Sequence, residues 1–469
     1  MIVPRSKLLF WVGLIVLPFG FLAGIETAVG AMPIGVIGAF VVLVLADAGL
    51  ASGSLSGISV ELPALVRLSK DRDGNIDLQI RNKRQKTKRL RVGLAFPREI
   101  GSPYEDQLLV LPGKSELSRL RWPCRPAKRG HYLIQNCLLE GESPLGFWSF
   151  RTTAPARTEI RVYPNLALER KNLTALFLNR RTLGIHVQPQ VGKGREFEKL
   201  REYIPGDSYD EVHWKATAKR GHPVTKVFQI ERTQEIYVIV DASRLSARSI
   251  SVAAPAATDK PLQALNFGAG TSETLPASQY NVPTLELFVT AALVLGLAAE
   301  QQGDLFGLLT FTDKVESFVR AKNGRDHYDA CREALYTLEP RIVTPDFDEL
   351  CMFIRLRLRR RALLVFLTAL DDPVLAESFV RNMSLICRQH LVLVNMLQPV
   401  SARPLFSDPQ VSSLDDLYAH LGGHVLWHNL RELEKVLHRR GIRFGLLNHE
   451  NMTAQLVSQY LTVKRRQVL

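Results

Sequence analysis

Acidic and hydroxyl side chains follow two apolar runs whose composition is typical of buried β-strands. Asp241 and Ser243 come directly after the first run, Asp371 and Asp372 follow the second, and Thr344 lies in a loop between them. Because the carboxyl ends of parallel strands meet at one edge of a sheet, these oxygens can come together and hold a divalent cation such as Mg²⁺. The alternative, which we favour, is that they cap backbone N–H groups where the strands end.

Three histidines lie at helical spacing further along the chain. On a continuous helix His420, His424 and His428 would share one face and could hold a metal ion. Gly422 and Gly423 interrupt this stretch, and such a pair is typical of a helix end. We therefore expect a break in the helix here and no metal site.

Motifs of the common catalytic families are absent from the sequence. The chain has no G-x-S-x-G, no H-E-x-x-H, no kinase signature and no G-x-x-x-x-G-K-[ST] phosphate loop. The glycine-rich stretch at Gly192 and Gly194 lacks the spacing of a phosphate cradle, so it is interpreted as a tight turn. The sequence therefore favours a protein that is not an enzyme, with no resident cofactor and no small-molecule substrate.

The charge balance indicates attraction to acidic surfaces. The chain of 469 residues has 60 Lys and Arg against 46 Asp and Glu, a formal net charge of +14. Nucleic acid and anionic lipid both attract such a chain. Five arginines lie within Arg355–Arg361, but no nucleic-acid-binding motif accompanies them, so we expect no nucleic-acid partner. The five cysteines are scattered without a C-x-x-C pair, which favours a reducing compartment.

The first 52 residues predict a transmembrane helical hairpin. Leu8–Ile25 contains no charge, and Ile34–Leu50 contains only Asp47. Both runs approach the length that crosses a hydrocarbon core. Basic residues lie before the first run and after the second, so the positive-inside rule predicts a multi-pass protein of the cell membrane with its soluble domains in the cytoplasm. A cleaved signal peptide is the alternative, and the second apolar run argues against it.

The rest of the chain divides by its hydrophobic pattern. Residues 58–165 contain short alternating runs punctuated by Gly and Pro, which predict a small all-β sandwich or barrel. Residues 166–233 are a connecting segment. Residues 234–469 alternate apolar strands with helical segments, which predicts an α/β fold with a doubly wound, mostly parallel sheet. Residues 247–282 form a low-complexity insert directly after its first strand.

The connecting segment carries a dense run of specific residues between Gly194 and Lys219, here called the signature segment. It resembles the pattern G-x-E-F-x-x-L-R-x-Y-x-P-G-D, then I-x-W-K-A-S-A-R, of the family called domain of unknown function 58. The residues that we select from it as a partner-binding or structural network are Glu196, Arg201, Tyr203, Pro205, Gly206, Asp207, Trp214 and Lys215. Pro144-Leu145-Gly146-Phe147 and Arg129–Tyr132 also resemble the family.

The resemblance implies association with other proteins. Members of this family are commonly partners of MoxR-type AAA ATPases, and they combine a membrane hairpin with a von Willebrand factor A-like domain. That fold often holds a metal through D-x-S-x-S with a Thr and an Asp from other loops. Asp241, Ser243, Thr344 and Asp371 correspond to such a site, whereas Leu245 stands at the third position of the motif.

These observations predict a membrane-anchored cytoplasmic adaptor that binds proteins and works with a MoxR-type AAA ATPase in protein maturation or assembly. The alternative function is a metal-dependent hydrolase at the sheet edge near Asp241 and Asp371.

Overall fold

The computed structural model describes the chain apart from residues 26–30, 53–54, 85–87, 114, 168, 171–172, 174–190, 206–207, 230–233, 254–278, 406, 408–412 and 466–469. At residues 24–25, 31, 51–52, 88, 191–199, 211, 227–229, 251–253 and 279–280 it describes the backbone alone. The chain forms two compact units, Met1–Asn165 and Leu166–Leu469, called here the first and the second unit.

The first unit begins with two long apolar helical segments. Strand β1 (Ile2–Pro4) precedes a helix that runs through α1 (Ser6–Trp11), a π-helical turn (Val12–Val16) and α2 (Leu17–Ile25), and α3 spans Ala31–Ser52. Only 6% of Ser6–Ala23 and 11% of Met32–Leu50 is buried. Both helices are long and apolar enough to cross a membrane, which suggests membrane association.

An all-β region follows, as the sequence predicts. Its strands are β2 (Ile58–Glu61), β3 (Leu65–Ser69), β4 (Gly74–Asn82), β5 (Lys88–Leu94), β6 (Ile100–Gly101), β7 (Asp106–Leu111), β8 (Leu117–Pro126), β9 (Gly130–Glu142) and β10 (Trp148–Tyr163). One sheet has the order β1-β10-β9-β5-β7 with β3 also on β10, and the other has the order β2-β4-β8-β6. Alternate residues such as Ile76, Leu78 and Ile80 are fully buried, because every second side chain of a strand faces the core. Trp122 is buried there with its indole N–H donated to Ser102 Oγ at 2.9 Å.

The second unit begins with a small hairpin that carries the signature segment. Strands β11 (Val191–Glu202) and β12 (Val224–Gln229) pair antiparallel. Between them lie a 3₁₀ turn (Tyr209–Glu211) and helix α4 (Trp214–Arg220). Gly221 ends α4 in the left-handed conformation, with φ of 72°, which glycine adopts without steric cost.

The main sheet of the second unit is of mixed α/β type. Its elements and a side hairpin are β13 (Glu235–Asp241), β14 (Ser249–Ala253), β15 (Gln279–Pro283), α5 (Thr284–Gln301), β16 (Leu305–Phe311), β17 (Val315–Lys322), α6 (Arg325–Tyr336), α7 (Phe347–Arg357), β18 (Leu363–Leu367), α8 (Pro373–Ile386), β19 (Leu391–Leu397), α9 (Leu414–Arg439), β20 (Arg443–Leu447) and α10 (Met452–Arg465). The strand order is β17-β16-β13-β18-β19-β20, with β17 antiparallel to its neighbour and the other pairs parallel.

Helices cover both faces of this sheet. Ile236, Val238 and Val240 of β13 face a core formed with α5, α6 and α10. Tyr237 and Ile239 face a second core formed with α7, α8 and α9. Burial on both faces explains why the strands are nearly continuous apolar runs. Helix α5 is also apolar enough to cross a membrane, but 67% of it is buried in this unit, so it is a core helix.

One expectation about local structure is wrong. Helix α9 runs unbroken through Gly422 and Gly423. A Cβ at Gly423 would lie 2.1 Å from the carbonyl oxygen of Ser401, so glycine is required there for close packing rather than for a helix end. The two ends of the low-complexity insert pair as the antiparallel strands β14 and β15. Residues 254–278 lie outside the described part of the chain.

Candidate functional site

The predicted cluster at the carboxyl edge of the sheet is partly assembled. Strand β13 lies between β16 and β18, the point at which the strand order reverses, and it ends at Asp241. Asp241 is completely buried. Its Oδ1 accepts a hydrogen bond from the backbone N–H of Ser243 at 2.8 Å, and its Oδ2 accepts one from Thr368 Oγ1 at 2.6 Å. Asp241 therefore ties the end of β13 to the end of β18.

The surroundings of Asp241 contain hydroxyl and amide groups. Burial raises the pKa of the Asp241 carboxyl, because desolvation disfavours the charged form. The hydrogen bonds from Thr368 and Ser243 act in the opposite direction. Ser243 is also fully buried, and its carbonyl accepts from Ser246 Oγ at 2.8 Å. These contacts are those of strand-end capping, the interpretation that the sequence favours.

The other predicted metal ligands have cationic or solvent neighbours. Asp371 forms an ion pair with Arg248, and Asp372 lies 3.9 Å from a guanidinium nitrogen of Arg244. Asp372 also caps α8 by accepting from the backbone N–H of Val374 at 3.0 Å. Thr344 is exposed on the neighbouring loop, and within the described residues its hydroxyl makes no hydrogen bond to this cluster. The two arginines thus place positive charge where a metal ion would otherwise neutralise the carboxylates.

The histidines share a helix but have separate surroundings. His424 Nδ1 accepts from the backbone N–H of Leu405 at 3.1 Å, and its ring stacks on Trp427 with the centroids 5.7 Å apart. His428 is exposed, and His420 borders a cleft. In the described part of the chain, no group of three or more His, Cys, Asp or Glu side chains is placed to hold a metal ion.

A cleft of about 830 Å³ lies beside the carboxyl edge. Its wall includes Arg248 and Asp371 from the edge itself, Gln398 after β19, His420 of α9 and His449 after β20. A crevice at the carboxyl ends of the strands, near the reversal of strand order, is the usual ligand position in open α/β sheets. The wall of the cleft combines these charged, amide and imidazole groups with a larger apolar surface.

The signature segment presents large side chains to solvent. Ile204 is 56% exposed, Tyr209 76% and Trp214 67%. The backbone that carries them is fixed by local bonds: Tyr203 N–H donates to the carbonyl of Pro223 at 3.0 Å, and His213 Nδ1 caps α4 by accepting from Ala216 N–H at 3.1 Å. These three exposed residues, called here the signature patch, lie within eleven residues of the chain. Exposed Trp and Tyr side chains are typical of protein interfaces.

The predicted charge network of the signature segment is only partly described. Gly206, Asp207 and the side chain of Glu196 lie outside the described residues. Arg201 donates to the carbonyl of its neighbour Glu202 at 3.3 Å. The ring of Tyr203 lies 6.4 Å from that of Tyr209, while Pro205 and Lys215 are exposed. The network around Asp207 therefore stays a prediction.

The sequence did not identify the role of Asp47, which lies near the end of α3. Asp47 is 1% exposed and accepts hydrogen bonds from Ser143 Oγ at 2.7 Å, Leu145 N–H at 3.1 Å and Phe147 N–H at 3.3 Å. Trp148 Nε1 donates to the carbonyl of Val44 at 3.0 Å, one turn earlier in the helix. The available signals were a lone acid in an apolar run and the family-like residues 144–147.

Strand β1 ties the other N-terminal helix to the same place. It pairs antiparallel with residues 148–150 of β10, and the N–H of Arg5 donates to the carbonyl of Phe147 at 2.9 Å. The N-terminal amino group donates to the carbonyl of Arg151 at 2.8 Å. Both apolar helices are therefore bonded to the segment 143–151, called here the anchor loop.

A second buried aspartate that the sequence does not reveal lies at the amino edge of the main sheet. Asp304 is 1% exposed. Its Oδ2 accepts from Tyr460 Oη at 2.5 Å and from Lys464 Nζ at 2.9 Å, and its Oδ1 accepts from Gln234 N–H at 3.2 Å. This cluster holds α10 against the start of β16.

Comparison with known proteins confirms the family resemblance over part of the chain. The family model "Protein of unknown function DUF58" matches residues 199–253 and 272–405, about two fifths of the chain. The unmatched residues between these ranges fall within the low-complexity insert.

The curated relatives carry no functional description. The uncharacterized protein Rv1480 of Mycobacterium tuberculosis is 24% identical over 219 residues, which is 46% of this chain and 59% of that protein. The uncharacterized protein Mb1516 of Mycobacterium bovis matches to the same extent. The chain thus spans less than two thirds of the length of these relatives.

Solved structures show only distant likeness. The CARDB domain of the PF1109 protein from Pyrococcus furiosus, solved with di-metal ions, has a TM-score of 0.16 at 15% identity, covering 22% of this chain and 86% of that chain. Proximal thread matrix protein 1 from the mussel byssus has a TM-score of 0.24 at 9% identity, covering 49% of this chain and 45% of that chain. Scores this low carry no argument about function.

Proposed function

We propose that this chain is a membrane-anchored adaptor that binds proteins and works with a MoxR-type AAA ATPase in protein maturation or assembly. The observation that carries the proposal is the signature patch. Ile204, Tyr209 and Trp214 are all more than half exposed, and all three lie within the residues that the family model matches. An exposed aromatic group at a rigid position offers a large apolar surface at little entropic cost, which suits a partner interface.

The α/β sheet is proposed to be of the von Willebrand factor A kind. In chain order, the strands of the main sheet have the arrangement 3-2-1-4-5-6, with the third antiparallel at the edge. Helices on both faces and a polar carboxyl edge at the first strand are features that this proposal requires. Such a domain acts by binding, which agrees with the cleft beside Arg248 and Asp371.

The soluble parts are proposed to face the cytoplasm, with the chain crossing the membrane twice. Arg5 and Lys7 lie before the first apolar helix, and Arg67, Lys70 and Arg72 follow the second. Basic flanks stay on the cytoplasmic side. The bonds of both helices to the anchor loop support this arrangement, because they require the two flanks to lie on the same side.

The test is co-purification of the full chain from detergent-solubilised membranes, with and without ATP, followed by mass spectrometry. We expect an AAA ATPase in the complex. Trp214→Ala and Tyr209→Ala should each weaken capture by about 30-fold, the loss typical of an interface hot spot. Tyr418→Ala removes an equally exposed aromatic side chain from α9 and should change nothing.

Two results would contradict the proposal. The first is a clean capture that contains no ATPase under any nucleotide condition. The second is undiminished capture by a double variant of Trp214 and Tyr209 that still folds, as judged by its circular dichroism.

The contacts at the carboxyl edge do not favour the metal-dependent hydrolase. Both oxygens of Asp241 are already hydrogen-bonded, and Asp371 is paired with Arg248. Calorimetric titration with Mg²⁺ and Mn²⁺ provides the direct comparison. Heat of binding that Asp241→Ala abolishes would revive the hydrolase.

A further inference from the structure

Helix α7 presents a basic and apolar surface that the proposed function does not use. Its inner side is anchored in the core by Phe347, Leu350, Cys351 and Ile354, and Leu358 just beyond the helix is buried as well. Its outer side exposes Met352 by 59% and Leu356 by 70%. The exposed arginines around them are Arg355, Arg357, Arg359, Arg360 and Arg361. These seven exposed residues are called here the arginine patch.

Three of the five arginines of the arginine patch have no carboxylate neighbour among the described residues. Arg360 lies 3.8 Å from Glu235, but its side chain is 82% exposed, so this pair contributes little. Arg357 lies over the ring of Phe353 at 5.8 Å. Among the described residues, no carboxylate lies within 4 Å of Arg355, Arg357 or Arg359. The acids of α7 lie in its first turn, about 9–14 Å along the helix axis from Arg355 and Arg357.

A second loop adds to the same surface. Gln389 Nε2 donates to the carbonyl oxygens of Leu358 at 3.3 Å and Arg359 at 3.0 Å. This bond holds the exposed Arg388 beside the end of α7. The residues just after α7 are therefore held in place by contacts within the fold.

Helix capping explains only part of this surface. Basic residues in the last turn stabilise the negative end of a helix, which accounts for Arg355 and Arg357. Three arginines lie beyond the helix, where this effect ends. Capping also gives no reason for two exposed apolar side chains among the charges.

We propose that the arginine patch is a second membrane contact, which binds the phosphates of anionic lipids while Met352 and Leu356 enter the interface. Apolar side chains surrounded by Arg are typical of surfaces that lie on a bilayer. The apolar helices of the first unit, on which this inference rests, already bring the chain to a membrane. Each basic residue near an anionic leaflet strengthens binding by about fivefold.

The experiment uses the full chain in nanodiscs made from neutral lipid or from neutral lipid mixed with phosphatidylglycerol. A fluorophore is attached at Met352→Cys in a Cys387→Ser background, because Cys387 is the one described cysteine that is not buried. Nitroxide-labelled lipid then quenches the fluorophore if the patch lies on the bilayer. We expect strong quenching in anionic discs, little in neutral discs, and a loss of quenching at high salt.

A matched pair of charge-reversed variants isolates the patch. Arg355→Glu, Arg359→Glu and Arg388→Glu together should weaken docking of the patch on the bilayer by at least about 100-fold. The control reverses three exposed basic residues of α9, Arg431, Lys435 and Arg439, and should keep the quenching of the parent protein.

Equal quenching in both kinds of disc, or unchanged quenching in the patch variant, overturns the proposal. Protection of the fluorophore by an added nucleic acid or acidic protein, without quenching by lipid, also overturns it and reassigns the surface. The discs expose lipid on both sides and contain no ATPase. A failure here is therefore distinguishable from a failure of the adaptor proposal.

Discussion

The two edges of the main sheet each bury one aspartate, but the partners of these aspartates differ. At the amino edge, Asp304 accepts from the ammonium group of Lys464, the phenol of Tyr460 and a backbone amide. At the carboxyl edge, Asp241 accepts only from the hydroxyl of Thr368 and the amide of Ser243. The nearby arginines pair instead with Asp371 and Asp372.

The difference separates a structural clamp from a responsive site. A buried carboxylate beside a cation is compensated in its charged form, and breaking such a pair is strongly destabilising. A buried carboxyl that has only neutral donors is compensated less, so burial raises its pKa. The amino edge is therefore the fixed end of the sheet, while the carboxyl edge, beside the cleft, is the end whose charge can respond to pH or to a partner.

The largest effect is expected at the amino edge. Asp304→Ala leaves the ammonium of Lys464 and the hydroxyl of Tyr460 without their shared acceptor, and should lower the free energy of unfolding of the second unit by about 3–5 kcal/mol. Urea unfolding of the purified full chain, followed by circular dichroism, measures this change. Asp329→Ala removes an exposed carboxylate 3.3 Å from Arg332 and should cost less than about 1 kcal/mol. Equal losses of unfolding free energy in the two variants would show that the buried Asp304 contributes no more to stability than an exposed carboxylate.

The next effect is expected at Asp47, the third buried aspartate. Its donors are neutral, like those of Asp241. Asp47→Ala leaves three donors of the anchor loop without an acceptor, each worth about 1 kcal/mol or more. Hydrogen exchange of the amides of Leu145 and Phe147 should then become at least about tenfold faster. Asp106→Ala, which removes an exposed partner of Arg91, should leave those amides unchanged. Unchanged exchange in the Asp47 variant would show that the anchor loop does not depend on it.

A smaller effect is expected from Thr368→Val, which keeps the shape of the side chain but removes the donor to Asp241. The loss should be about 1–2 kcal/mol in the free energy of unfolding. Because the Thr368 hydrogen bond lowers the pKa of Asp241, its removal should raise that pKa further. The carboxyl stretching band of Asp241 in infrared titration, assigned with Asp241→Asn, would report the shift. A pKa that stays the same or falls would contradict this account of the carboxyl edge.

The smallest effect is a dependence of stability on pH. The folded protein holds the proton of Asp241 more tightly than the unfolded chain does, because burial raises its pKa. The resulting stabilisation is complete below the ordinary pKa of Asp, about 3.9, and is lost as the pH rises through the raised value. The parent protein should therefore lose stability relative to Asp241→Asn as the pH rises above the ordinary pKa of Asp.

The matched control for this pH series is Asp313, whose pKa is lowered by the hydrogen bond from Thr312. Asp313→Asn should produce a difference of the opposite sign, in which the parent gains on the variant as the pH rises. The same sign for both variants would mean that the pH dependence comes from elsewhere in the chain.

The sequence predicted the parts of this fold that depend on repeating patterns. The core strands, such as Leu391–Leu397, follow from continuous apolar runs, and the all-β region follows from alternation. Strand β17 and helix α7 were missed, because the mixed residues of β17 and the alternating Arg and Leu of α7 obscure the period of either element.

Contacts between distant positions could not be predicted from one sequence. Asp47 lies 96 residues from Ser143, and Asp304 lies 156 residues from Tyr460. Nothing in the local pattern around either aspartate specifies its partner. The predicted helix end at Gly423 was wrong for the same reason. Glycine is required there because the backbone of Ser401 packs against it, and the local sequence does not show that contact. At the carboxyl edge, Asp241 and Thr368 were brought to one edge by the strand pattern, but the pairing of Arg248 with Asp371 was not foreseen.

The pairing of β1 with β10 has a consequence for biosynthesis. Residues 2–4 leave the ribosome well before their partners at 148–150, which are made only after both apolar helices and strands β2–β9 of the first unit. The anchor and the sheet must therefore be completed together. A recombinant fragment cut after residue 52 would lack both β1 and Asp47. It would expose the free rim of β10 as a template for unwanted pairing between molecules, so truncated protein should aggregate where the whole chain does not.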